Sequence, residues 1–207
     1  MDQKEPSPAF MSALTTEHFV LQGALSSNTS EVGTRASLYL FSLSSSLVAL
    51  GFASQSPALF VPFVAIVLPA VFILGLFTAV RLVDSNLEGI LFLNSIARIR
   101  KYYRTLSPEA EAQFSPESGY WPENPAWPAL QMGPFVGFIT TTASMVAFIN
   151  SIVAAVGVAM LAGRLFREKQ TLLASLIGAG VALALMAAFF AYQKWRYDSV
   201  GTSLIGS

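Results

Sequence analysis

An all-α membrane protein, with four transmembrane helices and a cytoplasmic helical extension of the second span, is the fold class the sequence predicts. Three observations carry it. The 207 residues are 54% hydrophobic and only 12% charged, where a soluble domain carries about 25% charged residues. That leaves too little polar surface to coat a soluble particle of this size. Mean hydropathy is +0.57. Four stretches are long, apolar and free of Asp, Glu, Lys, Arg and His in their central parts, near the ~20 residues that cross roughly 30 Å of hydrocarbon.

The leader, residues 1–35, is too polar for a signal peptide, since no charged n-region feeds an apolar h-region and cleavage site. Insertion is therefore expected to use the first span. The leader is expected to be partly helical from Thr16 onward, where Phe19, Leu21, Leu25 and Val32 interrupt polar residues. Thr15 or Thr16 is the expected cap ahead of Glu17.

Span one runs from about Ala36 to Ser54 and ends at Gln55-Ser56-Pro57. Span two, about Leu59 to Val83, closes a first hairpin over residues 36–83. Its Pro69 removes one backbone hydrogen bond and predicts a kink or a tighter turn. Residues 84–134 form a cytoplasmic segment. Leu87, Ile90, Leu91, Asn94 and Ile96 to Ile99 recur near a helical period, so the second span should continue as a helix to about Tyr103. Ile90, Leu91 and Asn94 are the expected covered face. Ser107-Pro108-Glu109 ends this helix or starts a new turn. The Pro- and aromatic-rich part after it should be irregular, with Trp121 and Trp127 at headgroup level. Spans three (about Phe135 to Ala162) and four (about Leu172 to Tyr192) form a second hairpin over 135–193, and 194–207 is a cytoplasmic tail.

Two stretches, TEHFVLQGALSSNTSEVGTRASLYLFSLSSSLVALGF and RIRKYYRTLSPEAEAQF, resemble a family of small bacterial multi-span membrane proteins of no assigned activity. The likeness covers the leader, span one and the helix after span two, roughly a third of the chain. It implies a bacterial plasma membrane and brings no functional residues with it.

Arg98, Arg100, Lys101 and Arg104 put four of the twelve basic residues in one short segment. Excess Lys and Arg near span ends marks the cytoplasmic side. With an even number of spans, the termini and the long loop share one side. That side carries Arg35, Arg81, Arg98, Arg100, Lys101, Arg104, Lys194 and Arg196, against Arg164, Arg167 and Lys169 in the turn between spans three and four. The basic segment also suits contact with anionic lipid headgroups, at about 1 kcal/mol per residue near the surface. A pI of 6.6 and the lack of a wider basic field argue against nucleic acid.

Chemistry is harder to find. There is no cysteine and one histidine, His18, so thiolate and histidine-cluster metal sites have nothing to build on. No cofactor motif is present. Asp84 and Glu88, at i and i+4, share a face that suits a cation or acid–base work. The same pair also reads as a solvated face, or as a partner of Arg81. Glu109 and Glu111 form a second, solvated pair. Inside the spans the polar residues are neutral, which argues against proton coupling. Asn150 in span three is either an interhelical hydrogen bond or part of a pore lining. Small residues recur at i, i+4 as Ser151, Ala155, Ala159 and Gly163, and as Ala174, Gly178 and Ala182. Such ridges allow close backbone approach, within one chain or between chains.

The sequence therefore points to a non-enzymatic membrane scaffold or signalling component. An oligomeric pore or membrane-perturbing effector, lined by Ser-rich span one and the Thr/Asn face of span three, stays open. So does a lipid-modifying enzyme using Asp84, Glu88 and His18. The partner classes are anionic membrane lipids, a second copy in a homo-oligomer, and a cytoplasmic protein.

The eight-to-three basic count predicts both termini in the cytoplasm. Reporter fusions at Ser207 and within the Arg164–Gln170 turn should report opposite sides. A periplasmic signal from Ser207 sinks this threading.

Overall fold

The computed structural model describes residues 6–113, 134–165 and 171–205. Within them the chain is helical, with no strand: α1 Pro8–Ala53, α2 Pro57–Arg104, α3 Pro108–Gln113, α4 Pro134–Ile139, α5 Thr142–Leu165 and α6 Thr171–Ile205. Four of these helices, α1, α2, α5 and α6, are long and apolar enough to cross a membrane, as a multi-pass membrane protein requires. Trp121 and Trp127, and Arg167, Glu168 and Lys169 of the last turn, lie outside the described residues.

Three helices begin the same way, at a Ser-Pro pair. The Phe10 N–H donates to Ser7 Oγ at 3.2 Å and the Ala110 N–H to Ser107 Oγ at 3.0 Å, while the Ser56 carbonyl accepts from the Leu59 and Phe60 N–H groups. Serine caps the orphan donors, and proline at the first helical position has none to lose. The start expected at Thr15 or Thr16 is therefore overturned. Their hydroxyls lie within α1 and donate to the Met11 and Ser12 carbonyls, each at 2.9 Å.

Two further expectations change. Residues of α2 are α-helical through both Pro62 and Pro69, so no tighter turn forms at Pro69. The third span is not continuous over Phe135 to Ala162. It breaks at Thr140 and Thr141 between α4 and α5. There Thr141 Oγ1 accepts from the Ser144 N–H at 3.1 Å, an alternative to the helical ladder that threonine hydroxyls offer readily.

The helices divide into two compact units, Met1–Glu31 with Ser85–Phe138, and Val32–Asp84 with Ile139–Ser207. In the first, α1 and α2 run antiparallel. The Phe10 and Tyr102 rings meet edge to face at 5.6 Å, and His18 lies 6.4 Å from Tyr103. Further along, Asn28 Nδ2 donates to the Ser85 carbonyl at 2.8 Å. Gly89 leaves room for the Asn28 amide, which is 3.2 Å from where a Cβ would stand. Ser85, Leu87, Gly89, Ile96 and Ile99 are buried, whereas Ile90 and Asn94 are half-buried and Leu91 is 37% exposed. This corrects the expected covered face. Ser85, Gly89, Ile96 and Ile99 recur at helical spacing and share the side of α2 that meets Asn28, so Leu91 and Asn94 turn away.

The second unit is held by close backbone approach. A Cβ on Gly178 would stand 2.6 Å from the Ala155 carbonyl oxygen and 3.1 Å from Ala159 Cβ. The small-residue ridges of α5 and α6 thus meet within one chain. Gly163 is looser, with Ala174 Cβ at 4.0 Å, and Gly157 meets Leu68 of α2 at 3.7 Å. Ala182 is half-buried. Gly178→Leu should lower thermal stability in detergent by an overpacking cost of about 1–3 kcal/mol. Gly180→Ala, where nothing lies within 4 Å, should not lower the melting temperature, since alanine is the better helix former. Equal melting of both variants means that the Gly178 contact does not hold α5 to α6.

Candidate functional site

Three polar clusters are candidates for a site, two in the second unit and one in the first. The first cluster is centred on Asn150, 4% exposed. Its Nδ2 donates to the Phe72 carbonyl at 3.1 Å, and Tyr39 Oη donates to its Oδ1 at 3.4 Å. One amide thus ties α5 to both α1 and α2. Gly75 makes this possible, because a Cβ there would overlap the Asn150 amide and lie 2.7 Å from Tyr39 Cε2. In an apolar surround an amide left without partners costs roughly 1–3 kcal/mol by mutational data. Both ends of this amide are engaged by neighbouring helices.

A second cluster joins α2, α5 and α6. Thr141 Oγ1 and Ser144 Oγ are 2.8 Å apart, Ser144 Oγ donates to Gln193 Oε1 at 3.2 Å, and Gln193 Nε2 donates back to Thr141 Oγ1 at 3.5 Å. A consistent ring follows if the Thr141 hydroxyl donates to Ser144, since each hydroxyl then gives one proton. Three residues beyond Gln193, the Arg196 guanidinium donates to Asp84 Oδ1, from Nη2 at 2.6 Å and from Nε at 3.2 Å. Both side chains are about a third exposed, at 33% and 32%. Asp84 is thereby committed to a cation on another helix.

The basic segment divides by helical angle. Arg98 and Lys101 are exposed, together with Ser95 between Leu91 and Arg98. Arg100 and Arg104 are half-buried on the other flank, where Arg104 Nη2 lies 3.9 Å from Glu111 Oε1 of α3. The four charges do not form one uniform face. His18 Nε2 is 3.0 Å from Gln22 Nε2 one turn along α1. No group of three or more His, Asp or Glu able to hold a metal occurs among the described residues.

Sequence reasoning missed the partners. Tyr39, Gly75, Gln193 and Arg196 each lie distant in the chain from the group they serve. A faint signal existed for Gln193, an uncharged polar residue where span four ends. Tyr39, buried to 1% exposure, was hidden among the serines of span one.

The arrangement defines a multi-pass helical bundle tied by buried polar groups. The chain matches no family model, no curated protein and no solved structure in the comparisons made.

Asp84→Asn and Arg196→Gln should each lower melting temperature in detergent, and the double variant should cost less than their sum. The coupling expected for a pair one-third exposed is about 1 kcal/mol or less, falling with added salt. Strictly additive losses would show that the contact contributes nothing.

Proposed function

We propose that the protein is a non-enzymatic multi-pass scaffold or signalling component of a bacterial plasma membrane, with both termini cytoplasmic. Its first unit is the part that meets a partner, and its second unit is the anchor. The observation that carries this reading is the construction of the first unit. The start of α1 and the end of α2 pack on each other through Asn28, His18, Tyr102 and Tyr103, leaving Phe19 and Val20 on one helix and Arg98 and Lys101 on the other exposed. A chain whose only task was to cross the bilayer has no need of such a helix pair.

The site chemistry favours this reading over its rivals. Asn150 spends its amide on helix packing, and Asp84 spends its carboxylate on Arg196, so neither is offered to a pore or a reaction. Anionic headgroups are the proposed contact of Arg98 and Lys101, through charge attraction near the surface. A cytoplasmic protein is the proposed partner of the remaining exposed face.

Because the chain has no cysteine, Ser95→Cys gives a single labelling position beside Arg98. A polarity-sensitive dye there, on the full-length protein in vesicles, should shift to the blue in phosphatidylglycerol and recover as salt rises. Arg98→Gln with Lys101→Gln should abolish the shift. Equal spectra in neutral and anionic vesicles rule out the lipid role. For the scaffold itself, photo-cross-linkers at Phe19 should give a discrete protein adduct in native membranes. Dye release from vesicles carrying the pure protein would favour the pore instead.

A further inference from the structure

Helix α6 changes character near its last third. Its exposed large side chains over the first two thirds, Leu172, Leu173, Leu176, Ile177 and Leu183, are all aliphatic, as a hydrocarbon-facing surface demands. Aromatic groups then cluster. The Phe189 and Phe190 rings are 5.8 Å apart, and the Tyr192 and Trp195 rings 6.2 Å apart. Trp195 is 63% exposed, and Lys194 beside it is also exposed. An exposed indole has an apolar body and one N–H that needs an acceptor. Neither bulk water nor hydrocarbon satisfies both, whereas the boundary between them does.

The inward side of the same two turns gives an independent reason. Gln193, fully buried, reaches Thr141 and Ser144 where α5 begins, and Arg196 reaches Asp84 of α2. One level of the second unit therefore holds a charged pair and the start of a helix, where Thr141 Oγ1 caps the Ser144 N–H and the first turn still carries donors without an intrahelical partner. Both are costly in hydrocarbon and inexpensive among headgroups and water. Going back along α6, the stretch from Leu172 to Tyr192 covers roughly 30 Å at the α-helical rise, one hydrocarbon thickness.

We infer that the lipid headgroup region meets the second unit at the level of Asp84, Thr141 and Gln193–Arg196, with Trp195 and Lys194 as the interfacial anchor of α6. The indole lies at the boundary of acyl chain and headgroup, and the ammonium reaches outward to lipid phosphate. The hydrocarbon-facing part of α6 ends near Tyr192. This rests on the membrane-spanning reading but not on the scaffold role or the side on which the termini lie.

The test uses the full chain in vesicles. Two of its three tryptophans, Trp121 and Trp127, are changed to phenylalanine so that Trp195 reports alone. Bromine carried near the glycerol end of the lipid should quench it more than bromine near the chain terminus, and aqueous iodide should quench it weakly. Strongest quenching by deep bromine, by iodide alone, or by no agent overturns the inference, the last because another protein surface would then cover the ring. If the double substitution misfolds, nitroxides on cysteines introduced singly at the exposed positions Ala184, Ala188 and Ala191 measure the same boundary. Oxygen accessibility should fall, and that of a water-soluble nickel chelate rise, from Ala184 towards Ala191. A flat profile overturns it equally. Release of the protein from vesicles at alkaline pH would instead remove the membrane-spanning reading itself, so the two failures are distinguishable.

Discussion

A side chain gains little by leaving lipid for the interior of a helix bundle, because lipid tails are as apolar as leucine. Association in the second unit must therefore come from backbones that approach closely and from polar groups that find one another. Gly178 against the Ala155 carbonyl supplies the first. The Asn150 amide, between Tyr39 and the Phe72 carbonyl, supplies the second. These two devices depend on each other. Asn150 reaches Phe72 only because Gly75 has no side chain, and a larger residue there would push α2 off the amide. The cost of leaving that amide unpaired in turn holds α2 against α5.

The polar ties of the second unit form two sets. Asn150 and Tyr39 make one, and the Gln193 ring with the Asp84–Arg196 pair makes the other. The two differ in chemistry. A neutral amide and a phenol carry no net charge, so one bond at each polar end removes most of the cost of burying them. A guanidinium has five donors and a carboxylate about four acceptor positions, which two helices cannot exhaust. A charged pair is therefore stable where headgroups or water take the remainder, and both partners here keep about a third of their surface exposed.

The first unit repeats the device of an amide reaching a carbonyl beside a glycine, with Asn28 and Gly89, and adds aromatic contacts. Aromatic contacts of Phe10 and His18 with Tyr102 and Tyr103, and the bond from Asn28 to the Ser85 carbonyl, hold an antiparallel helix pair. Its outer surface carries polar residues, two cations and a few apolar side chains. That mixed surface is what the proposal of a partner-binding first unit and an anchoring second unit rests on.

Hydrophobic runs made the four long helices legible from the sequence, because span length and the cost of a buried charge are local properties that any window of residues displays. The same locality explains the serine–proline starts at Ser56 and Ser107. The partners were not legible. Nothing in the neighbourhood of Asp84 announces Arg196, and nothing near Asn150 announces Tyr39, since each pair is separated by more than a hundred residues. The break at Thr140 and Thr141 was hidden for a related reason. Threonine is tolerated inside a span, and only the reach of Gln193 to Thr141 and Ser144 made the hydroxyls more useful at a cap. The sequence by itself determined which four segments are long, apolar and helical, but not where α1 starts or that a break precedes α5. The tertiary structure alone decided which face each helix covers, because a face is chosen by the pairing that leaves the fewest polar groups unsatisfied.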